Sequence, residues 1–124
     1  MAGLDPAIQL LGQSAPMKEG FVYIMANKRN GTIYIGVTSN LSGRVYEHKE
    51  GRGGVFTRKY ALKMLVWYET YSSVSDAIQR ETSLKRWPRK WKLDLIEKMN
   101  PEWEDLYLSF RASGRTGWPG QARP

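Results

Sequence analysis

Between residues 20 and 110 the spacing of hydrophobic positions changes several times, and each change marks an element. From Phe21 to Ala26 and from Thr32 to Thr38, Val22, Ile24, Ile33, Ile35 and Val37 alternate with Tyr23, Met25, Tyr34 and Gly36. A period of two is the mark of a strand whose faces differ. The intervening Asn27, Lys28, Arg29, Asn30 and Gly31 carry turn chemistry, so the two runs predict an antiparallel hairpin. A two-residue turn at Lys28-Arg29 or at Asn30-Gly31 makes the register sum odd in either case. An odd sum places Tyr23 and Tyr34 on the same face of the sheet.

A helix is predicted over Leu41 to Lys49, opened by the capping candidates Ser39 and Asn40 and closed by Gly51 and Gly53-Gly54. Arg44 and His48, four apart, share one of its faces. Leu65 to Tyr71 reads as a third strand. Ser73 and Asp76 have capping-box spacing before a helix to about Arg86. Pro88 suits the first turn of another helix, from about Arg89 to Met99, which Asn100-Pro101 ends. On that helix Trp91, Leu95 and Met99 are spaced to face the core. The order β-β-α-β-α-α predicts an α/β fold, a small antiparallel three-stranded sheet flanked by helices. Residues 1–18 lack sustained periodicity and 111–124 are dominated by Gly, Pro, Ser and Arg. They are expected to be flexible tails around a domain at 19–110.

A chain of 124 residues has room for one core. Lys and Arg outnumber Asp and Glu by 19 to 12, a net charge of +7, which draws the protein to polyanions. Cysteine is absent, which excludes disulfides, cysteine-zinc sites and thiol nucleophiles. No apolar run approaches the ~20 residues of a membrane helix, and no basic, apolar leader opens the chain. The expected location is the cytoplasm.

Phe21-Val22-Tyr23, Tyr34-Ile35-Gly36, Arg44 with His48, Glu81 and Asn100 form an ordered set over roughly Gly20 to Leu106. In that set the chain resembles the GIY-YIG nuclease family, and within it the small stand-alone bacterial branch. The first tripeptide departs from the name-giving Gly-Ile-Tyr but keeps the tyrosine. The resemblance implies a metal-dependent DNA endonuclease with a single Mg²⁺ or Mn²⁺ on Glu81, Arg44 on the scissile phosphate, and a tyrosine or histidine activating water. Tyr23, Tyr34 and His48 are the candidates for that last role, the two tyrosines standing jointly, and Asn100 is expected to hold backbone or phosphate. The roles make physical sense. A planar guanidinium can meet two phosphate oxygens as charge builds on them. A hard dication needs only one or two carboxylates beside waters and phosphate. A phenol, with an ordinary pKa near ~10, needs positive charge nearby to act as a base.

Taken singly, each residue has a plainer reading: the tyrosines as sheet packing, Arg44 and His48 as solvated helix residues, and Asn100 as a helix terminator. Glu81 would be a surface partner of Lys85, worth ~0.3 kcal/mol. The joint occurrence is what points to chemistry. Lys85, Arg86, Arg89, Lys90 and Lys92 form the densest basic stretch, with Arg58 and Lys59 in a second group beside Lys49 and Arg52; both suit nucleic-acid phosphates. DNA is thus the expected partner, with preference for particular structures or single strands and a role in repair, recombination or defence. A homodimer on the substrate is one way for a single site to cut both strands. A non-catalytic nucleic-acid-binding module is the competing reading, and the complete candidate set argues against it. A protein of anionic membrane surfaces would need a strongly amphipathic helix, which the pattern lacks.

Overall fold

The computed structural model describes residues 18–112. The expected tails, 1–18 and 111–124, lie outside these residues apart from 18, 111 and 112. The order is β1 (Gly20–Ala26), β2 (Ile33–Thr38), α1 (Leu41–Lys49), α2 (Val55–Lys59), β3 (Met64–Tyr71), α3 (Val74–Lys85), α4 (Arg89–Met99) and α5 (Tyr107–Ala112). The sheet is antiparallel in the order β2-β1-β3. The expected α/β fold and its β-β-α-β-α-α order are present, with the short helices α2 and α5 added.

β1 is buried along its whole length because both faces of the sheet are covered. Val22, Ile24 and Ala26 join Val37, Ala77, Leu84, Ile96 and Trp103 in one apolar layer beneath α3 and α4. Phe21, Tyr23 and Met25 join Leu41, Val45, Leu62, Tyr107 and Phe110 in the other, beneath α1 and α5. Alternation along a single strand therefore builds two cores. At the start of β1 the helix α3 comes so close that a Cβ on Gly20 would stand 2.9 Å from that of Ala77.

The hairpin turn is longer than expected. Gly31 N–H donates to Lys28 O at 3.0 Å, Asn27 N–H to Thr32 O at 3.3 Å, and Asn30 takes the left-handed φ of 57°. Four residues turn the chain instead of two. The register pairs Tyr23 with Gly36 and Met25 with Tyr34, so its sum is still odd and the two tyrosines share a face.

Helix ends follow their capping chemistry. The Asn40 side chain accepts from Gly43 N–H, and Ser73 Oγ accepts from Asp76 N–H. On α4 the core-facing residues are Leu93, Leu95 and Ile96. Trp91 is 55% exposed and Met99 43% exposed, which corrects the expectation that they face the core. The inward stripe passes through Ile96 and Asn100, a rotation that helical spacing alone did not settle. No helix among the described residues is long and apolar enough to cross a membrane.

After α4 the chain returns along β3. β3 is an edge strand whose pairing with β1 is shifted between Ile24 and Met25, so Val66 has no partner in the register. Asn100 Nδ2 donates to the Val66 carbonyl at 3.1 Å and to Glu104 O at 2.8 Å, while its Oδ1 accepts from Glu104 N–H at 3.0 Å. Further along, Leu106 N–H donates to Leu65 O at 2.7 Å. The returning segment thus covers the open edge of the sheet.

Candidate active site

Two elements meet to make the site. The β hairpin offers Tyr23 and Tyr34 from one sheet face, and α1, capped by Asn40, lays Arg44 and His48 against that face. The rings of Tyr23, Tyr34 and His48 form a triangle with centroids 6.3, 5.6 and 5.7 Å apart. Tyr23 Oη lies 2.9 Å from His48 Nε2, and His48 Nδ1 lies 3.2 Å from Thr57 Oγ1, all within the buried interior. Thr57 Oγ1 donates to Gly54 O at 3.4 Å, which leaves its lone pair for Nδ1–H. A tautomer with the imidazole proton on Nδ1 satisfies all of these contacts. Nε2 is then the acceptor for the Tyr23 hydroxyl.

His48 is 1% exposed. Burial first, and the Arg44 guanidinium second, push its pKa down to about 4 from 6.5. The ring is therefore neutral at physiological pH and free to take a proton. Arg44 donates from Nη1 to Glu47 Oε1 at 2.9 Å and from Nη2 to Gly53 O at 3.0 Å, so the same glycine that borders the histidine also anchors the arginine.

Two glycines make this packing possible; in the sequence Gly36 figured only in the strand pattern and the Tyr34-Ile35-Gly36 motif, and Gly53 only as a helix terminator. A Cβ on Gly36 would come within 2.6 Å of Tyr23 Oη and 2.9 Å of the Tyr34 ring. A Cβ on Gly53 would stand 2.0 Å from His48 Nδ1. Thr57 was missed, because α2 is too short to leave a periodic signal.

Glu81 comes from the other layer. It lies on the inward stripe of α3 with Ala77 and Leu84 and is 5% exposed. Its Oε2 is 2.7 Å from Lys85 Nζ, at ion-pair distance, yet accepts no hydrogen bond in good geometry. A surface pair would be hydrated on all sides, and this carboxylate is not. A carboxylate oxygen that already faces the Lys85 ammonium is of the chemistry a hard cation takes as ligand. Among the described residues no cluster of three or more His, Asp or Glu is present, so any ion would take most of its ligands from waters and phosphate oxygens, which is adequate for Mg²⁺.

The basic residues sit outside this centre. Arg86, Arg58 and Lys59 are exposed. Lys90 pairs with Asp94 at 3.0 Å, Lys92 donates to Lys85 O at 3.3 Å, and Arg89 donates to the hairpin-turn carbonyls of Asn30 and Gly31 at 2.9 and 2.6 Å. Arg89 thus ties α4 to the turn. The amide of Asn100 is engaged with backbone alone in the bonds described above.

The GIY-YIG catalytic domain family model matches residues 19–94, which hold both tyrosines, the Arg44 and His48 pair, and Glu81. The chain belongs to the GIY-YIG family. It is similar to a UPF0213 protein of Staphylococcus haemolyticus, 37% identical over 82 residues, which spans 66% of this chain and 99% of that protein. UPF0213 proteins of Staphylococcus epidermidis and Staphylococcus aureus are each 34% identical over the same coverage. No solved structure matches the chain. As a GIY-YIG protein this is an endonuclease, a phosphodiester hydrolase that acts on DNA. The relatives form a stand-alone, single-domain GIY-YIG group, as the sequence resemblance implied.

Proposed function

We propose that the protein hydrolyses DNA phosphodiesters by a tyrosine–histidine proton relay, aided by a divalent cation at Glu81. The observation that carries this reading is the 2.9 Å contact between Tyr23 Oη and His48 Nε2, with Thr57 Oγ1 3.2 Å from the other ring nitrogen. A phenol alone is a poor base at neutral pH. A phenol that hands its proton to a neutral imidazole as it takes one from water is a competent one. Tyr23 therefore removes the proton of the attacking water while its own passes to Nε2, and His48 leaves the step as the imidazolium. Tyr34, the more exposed of the two rings, lines the approach to this pair.

Arg44 turns its guanidinium from Glu47, a half-exposed partner, to the scissile phosphate and meets the charge that develops on the non-bridging oxygens. Glu81 would hold Mg²⁺ or Mn²⁺, which supplies Lewis-acid polarisation of the phosphate and charge neutralisation at the leaving oxygen. Lys85, beside Glu81, and the exposed Arg58, Lys59, Arg86, Lys90 and Lys92 would hold flanking phosphates. The relatives are covered almost end to end by this single domain and so hold no separate sequence-reading module. That supports selection by DNA structure, or for single strands, in a cytoplasmic role in repair, recombination or defence.

Cleavage of single-stranded, duplex, flapped and branched DNA by Tyr23→Phe tests the relay. The rate should fall by about 10² to 10⁴ with binding retained, and Tyr34→Phe should lose less. Near-normal turnover by both variants would exclude a phenol as the base.

A further inference from the structure

The helix α2 presents apolar surface to solvent beside the active site. Val55 is 74% exposed, Phe56 45% and the C-cap residue Tyr60 40%, an unusual concentration over six residues of a charged protein. The rings continue the aromatic line that starts at the relay: Tyr34 to Phe56 is 6.3 Å between centroids, and Phe56 to Tyr60 is 4.9 Å. Arg52, Arg58 and Lys59 are exposed along the same segment, and Lys59 Nζ lies 5.4 Å from the Tyr60 ring centre. Flat apolar rings set among cations match the chemistry of a nucleotide whose base is free to stack and whose phosphate is charged. A base inside a duplex is already stacked on both sides and offers no free face. A membrane or an acidic protein would meet the cations but has no use for a ring leading into a catalytic centre.

We propose that the exposed face of α2, centred on Phe56, stacks an unpaired base of the substrate strand beside the phosphate to be cut. The inference rests on the nuclease reading above and sharpens its substrate class to DNA with at least one unpaired nucleotide at the cleavage point. Tyr34 then joins two sites, the relay on its inner side and the base platform on its outer side. Duplex DNA would keep the phosphate contacts and lose the stacking.

Binding without cleavage separates the two readings. In EDTA, a labelled oligothymidylate and a blunt duplex are titrated with wild type, Phe56→Leu and Phe56→Trp. Leucine keeps apolar contact with Tyr34 and removes the stacking face, whereas tryptophan enlarges it. Phe56→Leu should weaken single-strand binding by about 5-fold or more, within the range for loss of one base–aromatic stack. Duplex binding should change little, and Phe56→Trp should match or exceed wild type. A 2-aminopurine placed in the single strand should be quenched by wild type and less so by Phe56→Leu. Equal losses on both DNAs, or none on either, would overturn the platform. So would a wild-type dimer that Phe56→Leu dissolves with DNA binding unchanged, since the patch would then belong to a second copy. Should the single-strand discrimination hold while wild type cuts nothing with Mg²⁺ or Mn²⁺, the platform stands and the nuclease reading fails.

Discussion

Gly53→Ala introduces one methyl group where the structure has no room for it. The new Cβ would lie 2.0 Å from His48 Nδ1, 2.6 Å from Cε1 and 2.7 Å from Cγ. To reach ordinary contact near ~3.5 Å the ring must withdraw by roughly 1.5 Å. It has nowhere to go, because Tyr23 Oη stands 2.9 Å from Nε2 and Thr57 Oγ1 3.2 Å from Nδ1. Whichever way it retreats, one of these bonds is lost. A displacement of ~1 Å at a reacting group costs about 10²-fold, and overpacking a filled interior costs about 1–3 kcal/mol. We expect single-turnover cleavage to fall by at least about 10²-fold and stability to fall by that overpacking cost. Gly53 has no positive φ, so the effect belongs to the clash and not to the backbone. A double-mutant cycle checks this: in a His48→Ala background, Gly53→Ala should cost almost no further stability. Wild-type rate and melting temperature in the single mutant would refute the geometry.

The depressed pKa of His48 makes two statements about pH. Since the unfolded histidine titrates near ~6.5 and the folded one at about 4, the unfolded state binds the extra proton between these values. Its contribution is therefore complete above pH 6.5 and is lost as pH falls toward 4, by at most about 3 kcal/mol; urea unfolding of wild type against His48→Gln measures it. The acid limb of kcat/KM should correspondingly lie near 4, and a limb at 6.5 would place the titrating group elsewhere. Glu81→Gln keeps the size of the side chain and removes the charge that holds a dication, so cleavage should collapse while DNA binding survives; near-normal Mg²⁺-dependent cleavage would remove Glu81 from the site. Asn100→Ala should lower stability by about 2–4 kcal/mol, because it orphans the Val66 carbonyl and opens the turn to Glu104, yet cut at nearly the wild-type rate when cold. A large rate loss in a protein that melts normally would give Asn100 a part in the chemistry.

The long elements were legible because their signals are local. Alternation set the strands, Asn40 and Ser73 set the helix starts, and the parity of the hairpin register survived a wrong turn length. The helical face of α4 was not legible, since Trp91 and Leu95 are both apolar and the core takes only one of them inward. α2 and α5 are too short for a periodic signal, and their stability comes from packing against α1 and the sheet.

For the site, residue types pointed to candidate roles but not to the contacts among the side chains. Tyr23 and Tyr34 were equivalent candidates in the sequence; in the structure Tyr23 is the more buried, with Oη 2.9 Å from His48 Nε2. The ion pair of Glu81 with Lys85 that the plainer reading expected is present at 2.7 Å, but on a carboxylate that is 5% exposed. Burial changes the meaning of that pair. An exposed pair stabilises by a few tenths of a kcal/mol, whereas a buried carboxylate depends on the cation beside it, here Lys85, to offset its desolvation. Gly36 and Gly53 were hidden for the opposite reason, because what they contribute is the space they leave. A glycine in a strand or after a helix reads as flexibility or a turn, and only the position of the Tyr23 hydroxyl and the His48 ring shows that a single Cβ at either place would push the relay apart.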